Sequence, residues 1–558
     1  MRVKPTGDQT MSEDRQNPQP ELSQRQHQIL KLLQAGKVNK AVAQELGIGL
    51  GTVKQHIVAI FKKLNVSNRA MAASHGMEIF QAQQGRAATL PMADLLENRP
   101  CVVLSIALPM DAGNLSVKLM YGCLAAIASA NDAVFLARYG NAGDLIFGIQ
   151  RVTEYDLAVA LQAARHVYDD LLEINSETAQ QLRGCMTAGI ALASMQRFGG
   201  WTGEAIASAA IASARKLLND IPAGLFVFDP TALDLIELFG IGGTQKLAST
   251  MPFAQLKNLH WTGTRRAYQL VGRDDELTLL NVVLSEAAQG NGRLILVKGE
   301  MGMGKSSLCE AIAKKCLQQK GTVAYCRSLP SVLGSALYNT ARETKCSVEE
   351  VVALLCAKPE RHPELVVVDD FNLLPKEQQT ALITAAAAAV ESGKLVIFSG
   401  RKDVRENISI PFETINLGRL PTPSIQALVR DALGKGTIKE RAQKVQRIAS
   451  AAAGVPLFAV ESARHHDESL ALPLRVAINA RLDSLRLDHN LLREVARNSA
   501  GANLEEVAAT LGEDLEKVRP QMERAVASGV LSLSDDKWLT FTHPLLRRAI
   551  DNSVMEIA

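Results

Sequence analysis

Residues 299–306 read Gly-Glu-Met-Gly-Met-Gly-Lys-Ser, and no other stretch of the chain constrains its fold as tightly. The octapeptide has the spacing GxxxxGK[ST]. It follows the apolar run RLILVKG and opens the helical pattern SSLCEAIAKK, the strand–loop–helix context that the motif requires. Gly299, Gly302 and Gly304 let backbone N–H groups close around a β-phosphate. Lys305 supplies a point charge for the β- and γ-phosphates, and Ser306 offers a hydroxyl to Mg²⁺. Ser307, next on the helix, is grouped with them as a cofactor-binding residue. A purely structural glycine-rich turn is a poor rival in this setting.

Three further runs, TVAYCR, LVVVDD and KLVIFSG, are short, β-branched and almost continuously apolar. That pattern marks parallel strands buried on both faces. LVVVDD delivers Asp369 and Asp370 to the carboxyl edge of the sheet, where ligands of such sheets bind. Asp369 is expected to hold Mg²⁺ through water, and Asp370 to orient an attacking water. The plain alternative, a strand ending in a turn, loses weight beside the P-loop. Arg401 follows the next strand as a candidate γ-phosphate sensor, with a surface arginine as the equal alternative.

The region 270–558 resembles the AAA-type and signal-transduction ATPases with numerous domains. The resemblance rests on Val271-Gly272-Arg273 with Glu276-Leu277, on Gly454-Val455-Pro456, and on the closing hairpin and FTHPLLRRAI. It implies ATP or ADP with Mg²⁺ as cofactors. It places Gly272 and Arg273 beside the adenine, Pro456 on the base from a helical lid, and a winged helix over 489–558. From that winged helix His543 would touch the bound diphosphate; a buried histidine capping the helix at Pro544 is the alternative. The strand ends in Asp-Asp where many active ATPases of this type have Asp-Glu. The resemblance therefore implies slow hydrolysis that serves a switch. The stretch LEEVAATLGEDLEKVRPQMERAV could pass for a DNA reader. Its acids Glu505, Glu506, Glu513, Asp514 and Glu516 would face phosphate at a cost, so an internal packing role is expected.

Charge is uneven along the chain. The net charge is only +3, yet residues 22–70 hold eight basic residues against one acid, Glu45, which points to a polyanion partner. Ser23 and Asn39 read as helix N-caps, and Gly36 and Gly47 as stops. A third helix from Thr52 presents Lys54, Gln55 and His56 in its first turns, where side chains reach base edges. Thr52 and the helix N-terminus suit phosphate, with Lys40 and Lys63 as further DNA contacts. A small bundle with a solvated basic face is the plain alternative. The segment LSQRQHQILKLLQAGKVNKAVAQELGIGLGTVKQHIVAIFKKLNVSNRAMA resembles the LuxR-type helix-turn-helix family along its whole length. That resemblance implies a four-helix unit that dimerises on a two-fold-related site in double-stranded DNA. Gln26, Gln28 and Ala41 depart from the acids usual there.

Strands and helices alternate between Cys101 and about Gly240, an α/β or α+β pattern. The order of elements, with RYGNAGDLIF and GEAIASAAIASARKL, resembles a class III nucleotide-cyclase homology domain. Gly143-Asp144, expected in a tight strand-to-strand turn, matches one metal-holding carboxylate of that family. The first strand offers Ala107 where the other should stand, so no cyclase activity is expected. A structural dimerisation module, a ligand sensor and a nucleotide binder all remain open.

The fold class expected is thus multidomain α/β, with an N-terminal all-α helix-turn-helix, a central α/β cyclase-like domain, and a P-loop NTPase with parallel sheet, helical lid and winged helix. The boundaries are a disordered tail at 1–20, the helix-turn-helix at 21–80, a linker at 81–100 and the cyclase-like domain at 101–240. A connector at 241–268 leads to the NTPase core at 269–415, the lid at 416–488 and the winged helix at 489–558. Eight scattered cysteines without a CxxC pair read as reduced thiols, the polar N-terminus shows no signal peptide, and no apolar run reaches 18 residues. A cytoplasmic, membrane-free homo-oligomer is expected, with RNA polymerase or a signalling protein as a possible further partner. The function expected is an ATP-dependent, sequence-specific transcription regulator. The alternatives are an ATPase machine acting on DNA or protein and, less favoured, a cyclase with a regulatory ATPase.

Overall fold

A computed structural model describes residues 95–551 apart from short internal segments, and before residue 95 only Ile29, which lies in a helix. The expected tail, the helix-turn-helix and its residues Lys40, Thr52, Lys54, Gln55, His56 and Lys63 lie outside the described residues. The chain divides into two compact units, Met1–Pro91 and Met92–Ala558.

The second unit begins with a mixed sheet. The strands β1 (Leu95–Ala107), β2 (Val134–Arg138), β3 (Ala142–Phe147), β4 (Arg183–Met195) and β5 (Phe226–Phe228) lie in the order β2-β3-β1-β4-β5. β1 begins at Leu95, six residues before the apolar run that announces it, because LLENRP pairs along its whole length with β4. Strand parity sorts the side chains. Val102, Leu104 and Ile106 face the helices α1 (Asn114–Ala130) and α2 (Asp156–Ile174). Cys101, Val103 and Ala107 face α3 (Ala209–Asp220). Residues 203–206 precede α3 outside the helix, which starts only at Ala209. There the Ser208 side chain accepts from the Ala210 N–H and caps the first turn. The connector adds to the same sheet, since Pro252–Ala254 pairs with β5.

The P-loop module is built on five parallel strands: β6 (Arg293–Gly299), β7 (Thr322–Ser331), β8 (Glu364–Asp369), β9 (Leu395–Gly400) and β10 (Phe412–Leu417). Their order is β7-β8-β9-β6-β10, and two short antiparallel strands extend the β7 edge. β9 therefore stands between the P-loop strand and the strand that carries Asp369. Every residue of β8 from Leu365 onward and all of β9 are buried. One face packs on Asp274–Ala288 and α4 (Lys305–Gln318), the other on Val348–Cys356 and Lys376–Glu391. Double-sided burial is what the apolar runs announce.

The lid packs Thr422–Ala432, Ile438–Ala452 and α5 (Pro456–Arg464) around Ile425, Val429 and Ala459. A second helical cluster comes next, comprising α6 (Leu472–Leu485), α7 (His489–Arg497), Leu504–Leu511, Leu515–Ala527 and a three-stranded antiparallel sheet. The sheet and its helices are arranged as a winged-helix element, with the hairpin Leu531–Leu533 and Trp538–Phe541 at the place the sequence indicates. No helix among the described residues is long and apolar enough to cross a membrane.

Candidate functional site

β6 ends at Gly299, and the next five residues turn the chain into α4. Gly302 and Gly304 hold φ of 76° and 89°, which a side chain opposes. Gly302 has a second reason to be glycine: a Cβ there would meet Leu457 Cβ of the lid at 2.8 Å. The Lys305 ammonium donates to the carbonyl oxygens of Gly299 (2.9 Å) and Glu300 (3.0 Å), so the loop is closed on its own cation. Gly302, Gly304, Lys305, Ser306 and Ser307 line one cavity. Leu270 and Val271, Leu420 and Leu428, and Pro456, Leu457 and Val460 form its apolar side, with Arg273 beside them.

Gly299 and Gly272 do not line this cavity; Gly299 abuts Leu417 and Met303, and Gly272 abuts Ser424 and Leu420. A Cβ on Gly272, whose φ is 66°, would fall 2.3 Å from Ser424 Oγ. Arg273 is buried and lies against the cavity, but its guanidinium is spent on structure. It donates to Met303 O (3.1 Å) and Gly418 O (2.6 Å) and pairs with Glu276 (3.1 Å). It thus ties the P-loop to the end of β10. Pro456 opens α5, and the Leu457 N–H donates to Gly302 O (3.2 Å), which joins lid to P-loop.

The two aspartates divide. Asp370, at φ 55°, lines the cavity and pairs with Arg327 at 3.4 Å. Asp369 does not line it. Its carboxylate accepts from Tyr325 Oη (3.1 Å), from Ser399 Oγ and from the Asp370 N–H (3.1 Å). Neighbouring strands hold Asp369, expected to take Mg²⁺ through water, one residue behind the lining, and Asp370 is the carboxylate brought to the cavity. Ser306 and Asp370 are hard oxygen donors of the kind Mg²⁺ takes alongside phosphate oxygens. Among the described residues no cluster of three or more His, Cys, Asp or Glu gathers to hold a metal ion by itself.

Arg401 also lines the cavity, because β9 lies between β6 and β8 and ends there. Its N–H donates to Asn372 Oδ1 (3.0 Å), and its guanidinium forms an ion pair with Glu154. His543, for which the sequence leaves a diphosphate contact and a helix cap both open, precedes the helix Pro544–Asp551. It does not line the cavity. Its Nε2 donates to Ala452 O (2.8 Å), its Nδ1 accepts from the Leu545 N–H (3.0 Å), and burial lowers its pKa to about 4. A neutral histidine with both nitrogens engaged serves as a helix cap and a link from winged helix to lid.

Sequence reasoning missed Glu154 and Tyr155, which reach the cavity from the segment between β3 and α2. Nothing in the local sequence marks them, because their role depends on how the first sheet docks on α6 and α7. That docking is polar and buried. Arg99 on β1 is fully buried and pairs with Asp483 on α6 (3.1 and 2.5 Å) and with Glu97 (3.5 Å). His489 on α7 contacts Glu97 at 3.0 Å, and the Val152 N–H donates to Asp483 Oδ2 (2.7 Å). Burial opposes the charge on His489, but Glu97 and then Asp483 outweigh it, and its pKa rises above the ordinary value.

In the first sheet, Gly143 and Asp144 lie inside β3 and not in its turn. The register places Ser105, not Ala107, opposite Asp144; Ala107 faces Ala142. Ser105 Oγ donates to Asp144 Oδ1 (2.6 Å), while Arg215 (3.1 Å) and Arg138 (3.6 Å) pair with the same buried carboxylate. Ala107, the position expected to lack the second metal-holding carboxylate, has none to offer, and the residue across from Asp144 is a hydroxyl, Ser105.

Comparison with known proteins assigns two segments. Residues 20–75 match the family described as bacterial regulatory proteins, luxR family, and residues 269–398 match the AAA ATPase domain. The chain therefore carries a LuxR-type helix-turn-helix domain and an AAA ATPase domain, which supports ATP hydrolysis. A putative HTH-type transcriptional regulator, YhjB of Escherichia coli, is 46% identical over 52 residues, 9% of this chain and 26% of that protein. The chain spans about a quarter or less of the length of the curated relatives it matches. Among solved structures, a variant of Thermotoga maritima RuvB shares 13% identity at a TM-score of 0.27, over 50% of this chain and 94% of that one. The guanylyl cyclase Cya2 shares 11% at 0.23, over 30% and 94%. Likenesses of that size carry no argument about function.

Proposed function

We propose that this chain is a DNA-binding ATPase: its N-terminal segment engages double-stranded DNA, and its P-loop module binds MgATP and acts there. The observation that carries the reading is the convergence of Lys305, Ser306, Asp370 and Arg401 on one cavity, in a chain that also has a LuxR-type segment. Lys305 and the loop amides hold the phosphates, Ser306 and Asp370 take the Mg²⁺ side, and Arg401 meets the γ-phosphate. Asp369 positions Asp370 through the strand end. The AAA ATPase match favours an ATPase working on DNA or on a protein bound to it. Assembly into homo-oligomers belongs to the same proposal.

A second reading, a slow nucleotide switch that gates transcription, is favoured by the docking of the first sheet against the nucleotide cavity through Glu154. One experiment separates the two. Purified protein is incubated with genomic fragments in ATP, in ADP and without nucleotide, bound fragments are sequenced, and ATP turnover is measured with and without DNA. Turnover stimulated by DNA supports the working ATPase. Discrete sites captured in one nucleotide state, with slow turnover throughout, support the switch. Absence of both DNA capture and ATP turnover overturns the proposal.

A further inference from the structure

Glu154 stands at the end of the nucleotide cavity that Arg401 and Asp370 occupy, yet it belongs to another sheet. Its side chain is largely buried and forms an ion pair with the Arg401 guanidinium. The segment that carries it is pinned on both sides. Two residues before it, the Val152 N–H donates to Asp483, and the Val152 side chain packs on Val476 and Ala480 of α6. Two residues after it, Asp156 accepts from the Thr153 N–H (3.0 Å) and from the Thr153 hydroxyl. Asp483 is itself held by the buried Arg99. Glu154 is thus placed by a braced turn and not by a free surface loop.

A guanidinium on the γ-phosphate side of a P-loop has an obvious anionic partner in a nucleoside triphosphate. Here a carboxylate of the same chain already takes that partnership. A γ-phosphate brought to Arg401 must displace the carboxylate or suffer like-charge repulsion from it. A diphosphate places no third phosphate there and meets neither obstacle.

We infer that Glu154 is the residue through which the first sheet discriminates ATP from ADP. Its carboxylate occupies Arg401 when the γ-phosphate is absent. The γ-phosphate displaces it and loosens the segment 151–156 from the cavity. The inference rests on the ATP-site reading above and names how that site would report its state.

The test uses the full chain and Glu154→Gln, each titrated with MgATPγS and with MgADP. The ratio of triphosphate to diphosphate affinity should rise on the order of tenfold in the variant, since one ion pair and one repulsion are removed. In an Arg401→Ala background the same substitution should raise the ratio by a smaller factor, because only the repulsion is left to remove, and a merely structural role for Glu154 would not produce that dependence on Arg401. On the unmodified chain, amide hydrogen exchange over 151–156 should be faster with MgATPγS than with MgADP. If both nucleotides bind but Glu154→Gln leaves the ratio where it was, or the exchange rates are equal, this inference is overturned and the ATP site stands. If the unmodified chain binds neither nucleotide, the ATP-site reading falls and takes the inference with it.

Discussion

Lys305 spends its ammonium on two loop carbonyls, and those bonds must be exchanged for phosphate oxygens when a nucleotide enters. Lys305→Ala is expected to weaken ATP binding by roughly 100-fold, the scale of a lost charge-assisted hydrogen bond. Calorimetric titration with MgATP checks it, and unaltered affinity would refute the P-loop assignment. Arg99 raises a different question, because it is fully buried and has little to gain from water. Its charge is tolerable only while Asp483 and Glu97 surround it. Asp483→Ala leaves that cation short of its main partner and should destabilise the unit by about 3–5 kcal/mol, read from chemical denaturation. The residues of the phosphate loop were legible from the sequence because the chemistry lies in contiguous residues. Arg99 was not, since an arginine next to Pro100 says nothing about an aspartate on a helix almost four hundred residues later.

At the scale of elements, the joint between β1 and the helices α6 and α7 is a titratable surface. His489 has a raised pKa, so its contribution is fully present below the ordinary histidine value and is lost as pH rises through the raised one. Asp156, beside the same joint, is pushed up to about 7, first by burial and further by Asp483. Its neutral form is favoured in the fold, so stability falls as pH climbs from the ordinary carboxylate range through about 7. The pKa of Glu97 is lowered, burial notwithstanding, by His489 and Arg99, so its loss belongs to acid and not to this window. The signs agree: Asp156 loses its contribution as pH climbs to about 7 and His489 loses its own above the ordinary histidine value, so stability of the joint should decline as pH rises through the neutral range. Thermal melts across that range check the direction, and a His489→Gln variant should flatten the dependence. A stability that rises over this interval would contradict the assignment. The α3 cap offers a simpler test. Ser208→Ala should cost about 1 kcal/mol, because the Ala210 N–H of the first turn loses its acceptor.

For the whole molecule, the question is how a basic N-terminal segment and a cavity in the other unit serve one activity. The LuxR-type match covers residues 20–75, and Lys54 stands at the start of the helix expected to read base edges. Lys54→Ala is expected to lower specific DNA affinity by at least tenfold, about 1–3 kcal/mol, with MgATP binding unaltered. Fluorescence anisotropy with a captured fragment checks the first part, and nucleotide titration the second. Equal operator affinity in the variant would show that the groove is read elsewhere. The expected order of domains within the second unit is present: a mixed sheet, a parallel sheet, a lid and a winged helix. The details that differ lie where one element meets another. β1 starts early because β4 is long enough to pair with it, and α3 starts late because Ser208 caps at Ala209.

Local sequence is enough to specify the P-loop, the buried parallel strands beside it and the basic N-terminal segment. Each is written in neighbouring residues whose spacing answers to local geometry: φ above zero at Gly302 and Gly304, or unbroken apolar runs in strands covered on both faces. Tertiary packing settled which aspartate reaches the cavity, that His543 caps a helix, that Ser105 faces Asp144, and that Glu154 meets Arg401. Those outcomes depend on sheet order, strand register and the docking of the first sheet on α6 and α7. They are long-range facts, set by pairing partners far along the chain, and no local pattern of residues encodes them.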